Sequence, residues 1–294
     1  MKHVILANPV SGKKKGKIYA TRVKELLKKN GINAEIIMSE YPKHFTKVTQ
    51  ELSKKNKYRF YVLGGDGTLN EVASAVVNTK SEIVVVPCGT GNDFLRSISK
   101  YMSMRKIINL SINKKAIPTD IISYGKNKYC INILNIGFDA MIASNLDKFR
   151  NVPFISGSNK YNLSIIYTLS SSKNFKFKIR SNEKTLKGRF TLAAIANGSY
   201  YGGGIIPCPK ANVKDGVLDC CIIDSTDTLK KLKLLPKYKK GKHTNLKQVH
   251  IFKTKDISVV STKKFPISVD GEVYYTNRLH MKVLPKAINI VHID

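Results

Sequence analysis

The sequence FYVLGGDGTLNEV, residues 60–72, places an apolar strand, a glycine-rich turn and the start of a helix in immediate succession. The strand carries β-branched and aromatic residues, and the segment TLNEVASAVVN that follows is typical of a helix. Glycine lets backbone N–H groups approach an anion closely, and the start of a helix adds the positive end of its dipole. Such a junction contributes little to a hydrophobic core, whereas it can bind a phosphate group. Residues 64–68 are therefore a candidate phosphate-binding loop.

Two further junctions have the same design. The loop NPVSGKKKG (8–16) follows the strand HVILA, and PCGTGNDF (87–94) follows the strand EIVVVP. Ligands of open α/β sheets bind outside the carboxyl ends of the strands, so we expect the three loops to meet at one edge. Any one of them alone reads better as a tight strand-to-helix turn, but three together favour a polyphosphate site. Neither a G-x-x-x-x-G-K-[ST] motif nor G-x-G-x-x-G at a strand–helix junction is present, which disfavours P-loop and standard dinucleotide folds.

The secondary-structure pattern changes near residue 118. Strands and helices alternate before this point, and strands separated by polar turns dominate after it. The predicted fold class is α/β followed by all-β. An N-terminal open three-layer α/β domain with a mostly parallel sheet spans 1–117, and an antiparallel β-sandwich-like domain spans 118–294.

The charge balance is strongly basic: 51 Lys and Arg stand against 20 Asp and Glu, a net charge of +31. Such a field attracts nucleic acid, anionic lipid or phosphorylated ligands. The basic residues are spread along most of the chain, which favours a lysine-rich compositional bias for most of them. Basic runs occur at 13–17 and 237–242, and the first could hold phosphate, touch a membrane or simply be solvated. The chain has no tryptophan and no RRM, KH or zinc-finger signature, so we expect no nucleic-acid partner.

The cellular compartment is predicted from what the sequence lacks. The five cysteines form no CxxC pair, the first apolar run is too short for a signal peptide, and no segment reaches the ~20 apolar residues of a membrane helix. We expect a cytoplasmic protein with reduced thiols that visits the inner face of the membrane transiently.

Five ordered motifs resemble one known family. GGDGT, followed by Asn70 and Glu71, is similar to the superfamily of diacylglycerol and sphingosine kinases, NAD kinases and phosphofructokinases. NPVSGK and PCGTGNDF resemble elements of its diacylglycerol kinase branch. NGSYYGGGIIPCPKANVKDGVLD (197–219) and VDGE (269–272) resemble segments of bacterial lipid kinases. The motifs extend from residue 8 to residue 272 and so cover nearly the whole chain.

The resemblance implies an ATP site built from the three loops and from the end of the second strand. The residues that it assigns to ATP are Asn8, Pro9, Ser11, Gly12, Ser39, Gly64, Gly65, Asp66, Gly67, Thr68, Glu71, Gly89 and Thr90.

The resemblance also implies the catalytic groups. Asp66, Asp93 and Asp120 would form the acidic network that holds Mg²⁺, partly through water, which suits an ion that prefers oxygen ligands. Glu272 would be the base that takes the proton from the lipid hydroxyl. From local pattern alone, Asp270-Gly271 is a two-residue hairpin turn that leaves Glu272 merely exposed.

A second, structural metal is implied at a later loop. In some relatives a loop aspartate and two backbone carbonyls hold this ion, and they match Asp215, Asn212 and Val217. Asp215-Gly216 is equally a plain turn.

The predicted function is an ATP- and Mg²⁺-dependent lipid kinase that phosphorylates diacylglycerol or a similar lipid and gives phosphatidic acid or an analogue. Its partners would be the membrane lipid and an anionic membrane surface, and whether it forms a homodimer is left open. Two alternatives stand beside it: a kinase for a soluble substrate, as in NAD kinases, and a non-catalytic lipid- or anion-binding protein on a kinase scaffold.

Overall fold

The computed structural model describes residues 1–89, 91–149, 157–170 and 174–293. The chain divides into two compact units. The first unit comprises Met1–Ile121, Val213–Asp215 and Leu284–Asp294, and the second comprises Ile122–Asn212 and Gly216–Val283. The predicted boundary at 117/118 does not anticipate the two later returns of the chain to the first unit.

The first unit alternates strands and helices. Its elements are β1 (Lys2–Ala7), α1 (Ser11–Lys14), α2 (Gly16–Lys29), β2 (Ala34–Met38), α3 (His44–Lys55), β3 (Tyr58–Gly64), α4 (Asp66–Ala75), β4 (Glu82–Pro87), α5 (Asp93–Ile98) and α6 (Met104–Asn113).

The sheet of the first unit is parallel, with the order β2-β1-β3-β4. All seven residues of β3 are buried, as in strands that helices cover on both faces. Helices α2 and α6 pack together, and α3 and α4 form a second pair. The returning C-terminal segment extends the sheet, because Asn289 and Ile290 pair in parallel with β4. The predicted parallel α/β fold is confirmed.

The remaining elements, of which the first and last strands contribute residues to both units, are predominantly strands. They are β5 (Ile117–Gly125), β6 (Lys128–Cys130), β7 (Ile133–Gly137), α7 (Phe138–Phe149), α8 (Gly157–Ser170), β8 (Phe175–Ser181), β9 (Thr185–Ala196), β10 (Leu218–Asp224), α9 (Thr228–Lys239), β11 (Val249–Thr254), β12 (Asp256–Val269) and β13 (Glu272–Ile290).

The second unit is built on two long strands, β9 and β12, that pair in antiparallel fashion with the same two partners. Strand β8 pairs with the first half of each, and β7 pairs with the second half of each. These four strands therefore close on themselves around an apolar core that contains Phe177, Phe190 and Phe265. The predicted antiparallel, sandwich-like fold is confirmed.

A second apolar core lies on the other face of β9. Because side chains alternate along a strand, Ala193 and Ile195 belong to the first core, whereas Leu192 and Ala194 belong to the second. Helices α7, α8 and α9 supply the opposite side of this second core. Within the described ranges, no helix combines the length and the hydropathy needed to cross a membrane.

The local sequence pattern misses two features of these elements. The segments ISVVS (257–261) and FPISV (265–269) each have the pattern of a separate strand, but they belong to one strand, β12, whose register shifts between Val260 and Phe265. Helix α9 was not predicted, because its basic residues resemble those of a solvated loop. Its apolar residues Leu234 and Tyr238 enter a core that is formed with residues distant in the sequence.

Candidate active site

The three glycine-bearing loops meet within the first unit. Asn8 of the first loop donates from Nδ2 to Thr68 Oγ1 of the second at 3.3 Å. A Cβ atom on Gly12 would lie 2.8 Å from the carbonyl oxygen of Cys88 in the third loop. A Cβ atom on Gly89 would lie 2.8 Å from Cα of Gly65. The convergence expected from the sheet edge is therefore present in the structure.

The first loop is held by hydrogen bonds centred on Asn8. Its side-chain oxygen accepts from the amide of Val10 at 3.1 Å, and its carbonyl oxygen accepts from the amide of Ser11 at 3.1 Å. Pro9 lies between these contacts, and Gly12 follows with φ +61°, a left-handed conformation that glycine adopts without strain. The loop thus turns tightly from β1 into α1.

The second loop requires glycine at its first position. A Cβ atom on Gly64 would lie 2.3 Å from Cβ of Thr68, whereas added Cβ atoms on Gly65 and Gly67 would meet nothing within 4 Å. Gly67 is exposed and Thr68 is buried. The backbone of the loop is therefore packed on its inner side and open on its outer side.

The Gly64→Ala variant should be destabilised by roughly 1–3 kcal/mol, because the added methyl group overpacks the junction. The measurement is urea unfolding. Gly67→Ala is the matched control, since Gly67 lies in α4 and alanine favours a helix by up to about 1 kcal/mol. Equal stability of the two variants would show that the packing between Gly64 and Thr68 is not constraining.

The third loop is closed by Asn92. Its Nδ2 donates to the carbonyl oxygen of Gly89 at 2.8 Å, and its Oδ1 accepts from the Gly89 amide at 3.3 Å. Asn92 itself is left-handed, with φ +52°. Thr90, predicted to contact the nucleotide, lies outside the described residues.

Two carboxylates border this loop. Asp66 accepts the amides of Asp93 and Phe94, both at 3.2 Å, so it caps the start of α5. A Cβ atom on Gly91 would lie 3.0 Å from Oδ2 of Asp66 and 3.6 Å from Oδ2 of Asp93. Asp93 is buried and lies 3.5 Å from Nε of Arg96. The carboxylates of both aspartates therefore lie close to Gly91.

The third predicted acidic residue has a different observed partner. Asp120 is fully buried, and its Oδ1 accepts from the amide of Lys286, which is left-handed at φ +54°, at 2.7 Å. The Asp120 amide donates to the carbonyl oxygen of Val213 at 2.8 Å. Asp120 therefore connects both later chain segments to the first unit. Over the described residues, no three His, Cys, Asp or Glu groups are gathered closely enough to hold a metal ion.

Two other predicted residues lie at the same sheet edge. The amide of Ser39 donates to the carbonyl oxygen of Ala7 at 3.1 Å, which places Ser39 beside the start of the first loop. Oε1 of Glu71 accepts from the amide of Lys43 at 3.1 Å. Because Lys43 is left-handed at φ +66°, Glu71 fixes the turn between β2 and α3.

Glu272 belongs to the second unit and follows a two-residue hairpin turn. Asp270 and Gly271 have φ of +46° and +96°, and Val269 pairs with Glu272 across the hairpin. Glu272 is exposed, and its Oε2 accepts a hydrogen bond from the hydroxyl of Tyr274. Burial raises the pKa of Tyr274 to about 12, and the hydrogen bond to Glu272 acts in the same direction. This hydroxyl therefore stays a donor at neutral pH.

The hairpin is attached to the rest of the second unit by its aspartate. Oδ2 of Asp270 accepts from the amide of Ile131 at 3.1 Å. The turn predicted from Asp270-Gly271 is therefore present, and it holds Glu272 at a defined place.

The residues assigned to a structural metal lie in the segment 212–217, which contributes residues to both units. Asn212 and Val217 are grouped with the second unit, and Asp215 with the first. The side chains of Asn212 and Asp215 are exposed, and Val217 is half-buried. A metal in this segment stays a prediction.

A buried, hydrogen-bonded cluster of one aspartate and two tyrosines was not predicted. Oδ2 of Asp139 accepts the hydroxyls of Tyr201 and Tyr238 at 2.5 and 2.8 Å. Tyr201 is presented by a turn in which Gly202, Gly203 and Gly204 all have positive φ. The glycine run of the 197–219 motif thus builds a turn whose tyrosine reaches Asp139.

Burial raises the pKa of Asp139 to about 6, above its ordinary value of 3.8, although the two tyrosine hydroxyls act in the opposite direction. A carboxyl group with a raised pKa binds more protons in the folded state, so the free energy of unfolding falls as the pH rises from about 4 through 6.

The Asp139→Asn variant should lack this pH-dependent loss. Its stability relative to the parent should rise by roughly 2–3 kcal/mol between pH 4 and pH 7, as the shift in pKa implies. Urea unfolding across this range is the measurement. A pH-independent difference between the two proteins would contradict the raised pKa.

Comparison with known proteins identifies the family. The model described as the diacylglycerol kinase catalytic domain matches residues 2–124, and the model described as the YegS C-terminal NAD kinase beta sandwich-like domain matches residues 132–292. The YtlR protein of Bacillus subtilis (strain 168) is 28% identical over 306 residues, which cover 97% of each chain.

Two further relatives agree with these matches. A probable YegS-like lipid kinase of Shewanella frigidimarina is 28% identical and covers 96% of this chain and 92% of its own. The crystal structure of a diacylglycerol kinase from Bacillus anthracis has a TM-score of 0.77 at 20% identity, covering 99% and 96% of the two chains, and so shares the fold. The chain therefore belongs to the diacylglycerol kinase-like lipid kinase family, as its ordered motifs predicted.

Proposed function

We propose that the protein transfers the γ-phosphoryl group of ATP to the hydroxyl of diacylglycerol or a similar lipid, with Mg²⁺ as cofactor, and so forms phosphatidic acid or an analogue. The observation that carries the proposal is the meeting of the three loops beside the carboxylates of Asp66 and Asp93. Glycine has no side chain to shield the backbone amides, which can therefore bind phosphate oxygens, and nearby carboxylates suit the accompanying metal ion.

The donor set fits Mg²⁺, because the carboxylates of Asp66 and Asp93 both offer oxygen ligands close to the small Gly91. When bound, the ion offsets the charge on the phosphate oxygens. In this proposal Asp66 and Asp93 hold the ion partly through water. Asp120 belongs to the same acidic network in this proposal, and the amide of Lys286 orients its carboxylate.

The proposed base is Glu272. Its carboxylate accepts the proton of the lipid hydroxyl while the hydroxyl oxygen bonds to the γ-phosphorus, and the bond from that phosphorus to the β–γ bridging oxygen breaks to release ADP. The hydroxyl of Tyr274 donates to Oε2 of Glu272 and orients the carboxylate, which leaves Oε1 for the substrate.

The acceptor lies in a bilayer, so we propose transient peripheral binding to an anionic membrane surface. The net charge of +31 supports this, because each basic residue near such a surface contributes about 1 kcal/mol. Several lysines on one face would suffice for reversible docking.

The test is an assay with γ-labelled ATP, Mg²⁺ and detergent micelles that contain one hydroxyl lipid each, with NAD as a soluble acceptor in parallel. The expected result is label in a lipid, with diacylglycerol among the accepted substrates. Label in NAD alone would instead support the soluble-substrate kinase. No transfer to any acceptor, together with ADP binding to the folded protein, would support a non-catalytic binding role.

A further inference from the structure

Helix α9 presents apolar side chains to solvent on one face. Leu229 and Leu232 are 66% and 48% exposed, although both are large and aliphatic. Helical spacing places Pro236 on the same side, and Pro236 is also exposed. We infer that this outward face of α9 is the surface with which the protein docks on an anionic lipid bilayer.

The opposite face anchors the helix. Leu234 and Tyr238 are buried in the second apolar core, and the hydroxyl of Tyr238 donates to Asp139 at 2.8 Å. Asp227 caps the first turn by accepting the amide of Lys230 at 2.8 Å. Because three contacts of different kinds fix α9, its exposed leucines are held at the surface by the fold.

Lysines surround these leucines, whereas Asp227 at the start of the helix is paired with Lys230. Lys233, Lys237 and Lys240 are exposed on the same outward side, and the segment 228–242 contains no Asp or Glu. A merely solvated helix commonly mixes acidic and basic residues at spacings of three and four, so the absence of acids here is informative. Leucines surrounded by lysines match the chemistry of an interfacial helix, whose apolar side chains enter the headgroup region while its cations meet anionic lipids.

Other partners fit this face less well. Protein–protein interfaces are depleted in lysine and enriched in aromatic residues, and the outward face of α9 has the reverse composition. Single-stranded nucleic acid is held by aromatic stacking, for which Leu229 and Leu232 are no substitute. The surface therefore favours a bilayer over either macromolecule.

The inference deepens the proposed function and rests on it, since a lipid kinase must reach an acceptor that lies in a membrane. Docking can nevertheless be measured without turnover. The full-length protein is mixed with sedimenting vesicles of phosphatidylcholine, with or without phosphatidylglycerol, in the absence of ATP.

Two sets of variants test the two components. The triple variant Lys233→Gln/Lys237→Gln/Lys240→Gln should bind the anionic vesicles roughly a hundredfold more weakly, because each lysine contributes about a fivefold factor. Its matched control is Lys187→Gln/Lys263→Gln/Lys264→Gln, three exposed lysines of β9 and β12, which should change binding far less. The double variant Leu229→Ser/Leu232→Ser should weaken binding at least tenfold, whereas Ile251→Ser, an exposed residue of β11, should not.

The outcomes separate this inference from the proposed function. If both α9 variants bind anionic vesicles as tightly as the parent, α9 is not the docking surface, whether or not the protein is a kinase. If phosphoryl transfer to a water-dispersed short-chain diacylglycerol is unaffected while vesicle binding falls, α9 serves docking alone, as inferred. Equal loss of binding in the control lysine variant would show that only diffuse charge attracts the membrane. If the α9 lysine variant instead kept its binding to vesicles and lost binding to a DNA duplex tested in parallel, the face would serve a nucleic-acid partner.

Discussion

The Glu272→Gln variant should phosphorylate lipid about 10²–10⁴-fold more slowly than the parent, the range that a positioned general base contributes. The amide that replaces the carboxylate cannot accept the hydroxyl proton, and the rest of the site is unchanged. The hairpin should survive, because Asp270, Gly271 and the backbone pairing with Val269 define it. The measurement is kcat with labelled ATP in micelles, with thermal unfolding recorded in parallel.

Two controls distinguish a base from an exposed acid. Glu183→Gln changes another exposed glutamate of the second unit and should leave kcat unchanged. Tyr274→Phe removes the hydroxyl that donates to Glu272 and should reduce kcat less than Glu272→Gln does, because the carboxylate stays. A Glu272→Gln variant with the turnover of the parent would return Glu272 to the role of an ordinary hairpin residue.

The meeting of the three glycine-bearing loops was the part of the candidate site that the sequence could predict. Each loop is short and follows a buried strand, so the sheet edge alone brings the three together. The contacts between Asn8 and Thr68 and between Gly12 and Cys88 then require no information beyond parallel order and small residues. Cys88 is buried and packs against Gly12, so it fills space between the first and third loops.

The contacts that the sequence could not predict join residues far apart in the chain. Tyr238 reaches Asp139 across 99 positions, and Asp120 meets the amide of Lys286 across 166. Each partner lies on an element whose position is set by packing. The local sequence pattern does not show which distant residue it will contact. The signal available for Asp120 was its position between apolar residues, which predicts a partner but does not say which one. Helix α9 was missed for the same reason, because its inward stripe is short and lies among lysines.

The Asp66→Asn variant should lose about 10²–10³-fold in kcat, a loss similar to that caused by removing one preorganised hydrogen-bond donor from a transition-state site. Asparagine has the same shape but no charge, so the magnesium-holding role is removed while the space beside Gly91 is kept. The loss should appear at saturating ATP, and the Mg²⁺ concentration for half-maximal rate should rise. Both quantities come from initial rates measured over a range of Mg²⁺ concentrations.

The structure gives Asp66 a second role that must be separated from the first. Its carboxylate caps α5 by accepting the amides of Asp93 and Phe94, and weakening such a cap costs about 1 kcal/mol of stability. The control is Asp227→Ala, since Asp227 caps α9, lies in the other unit and loses its cap when alanine replaces it. Asp227→Ala should lower stability by a similar amount and leave kcat unchanged. If the two variants lose the same stability and both keep full turnover and the parent's Mg²⁺ dependence, Asp66 is a helix cap and the acidic residues of this loop do not hold the metal.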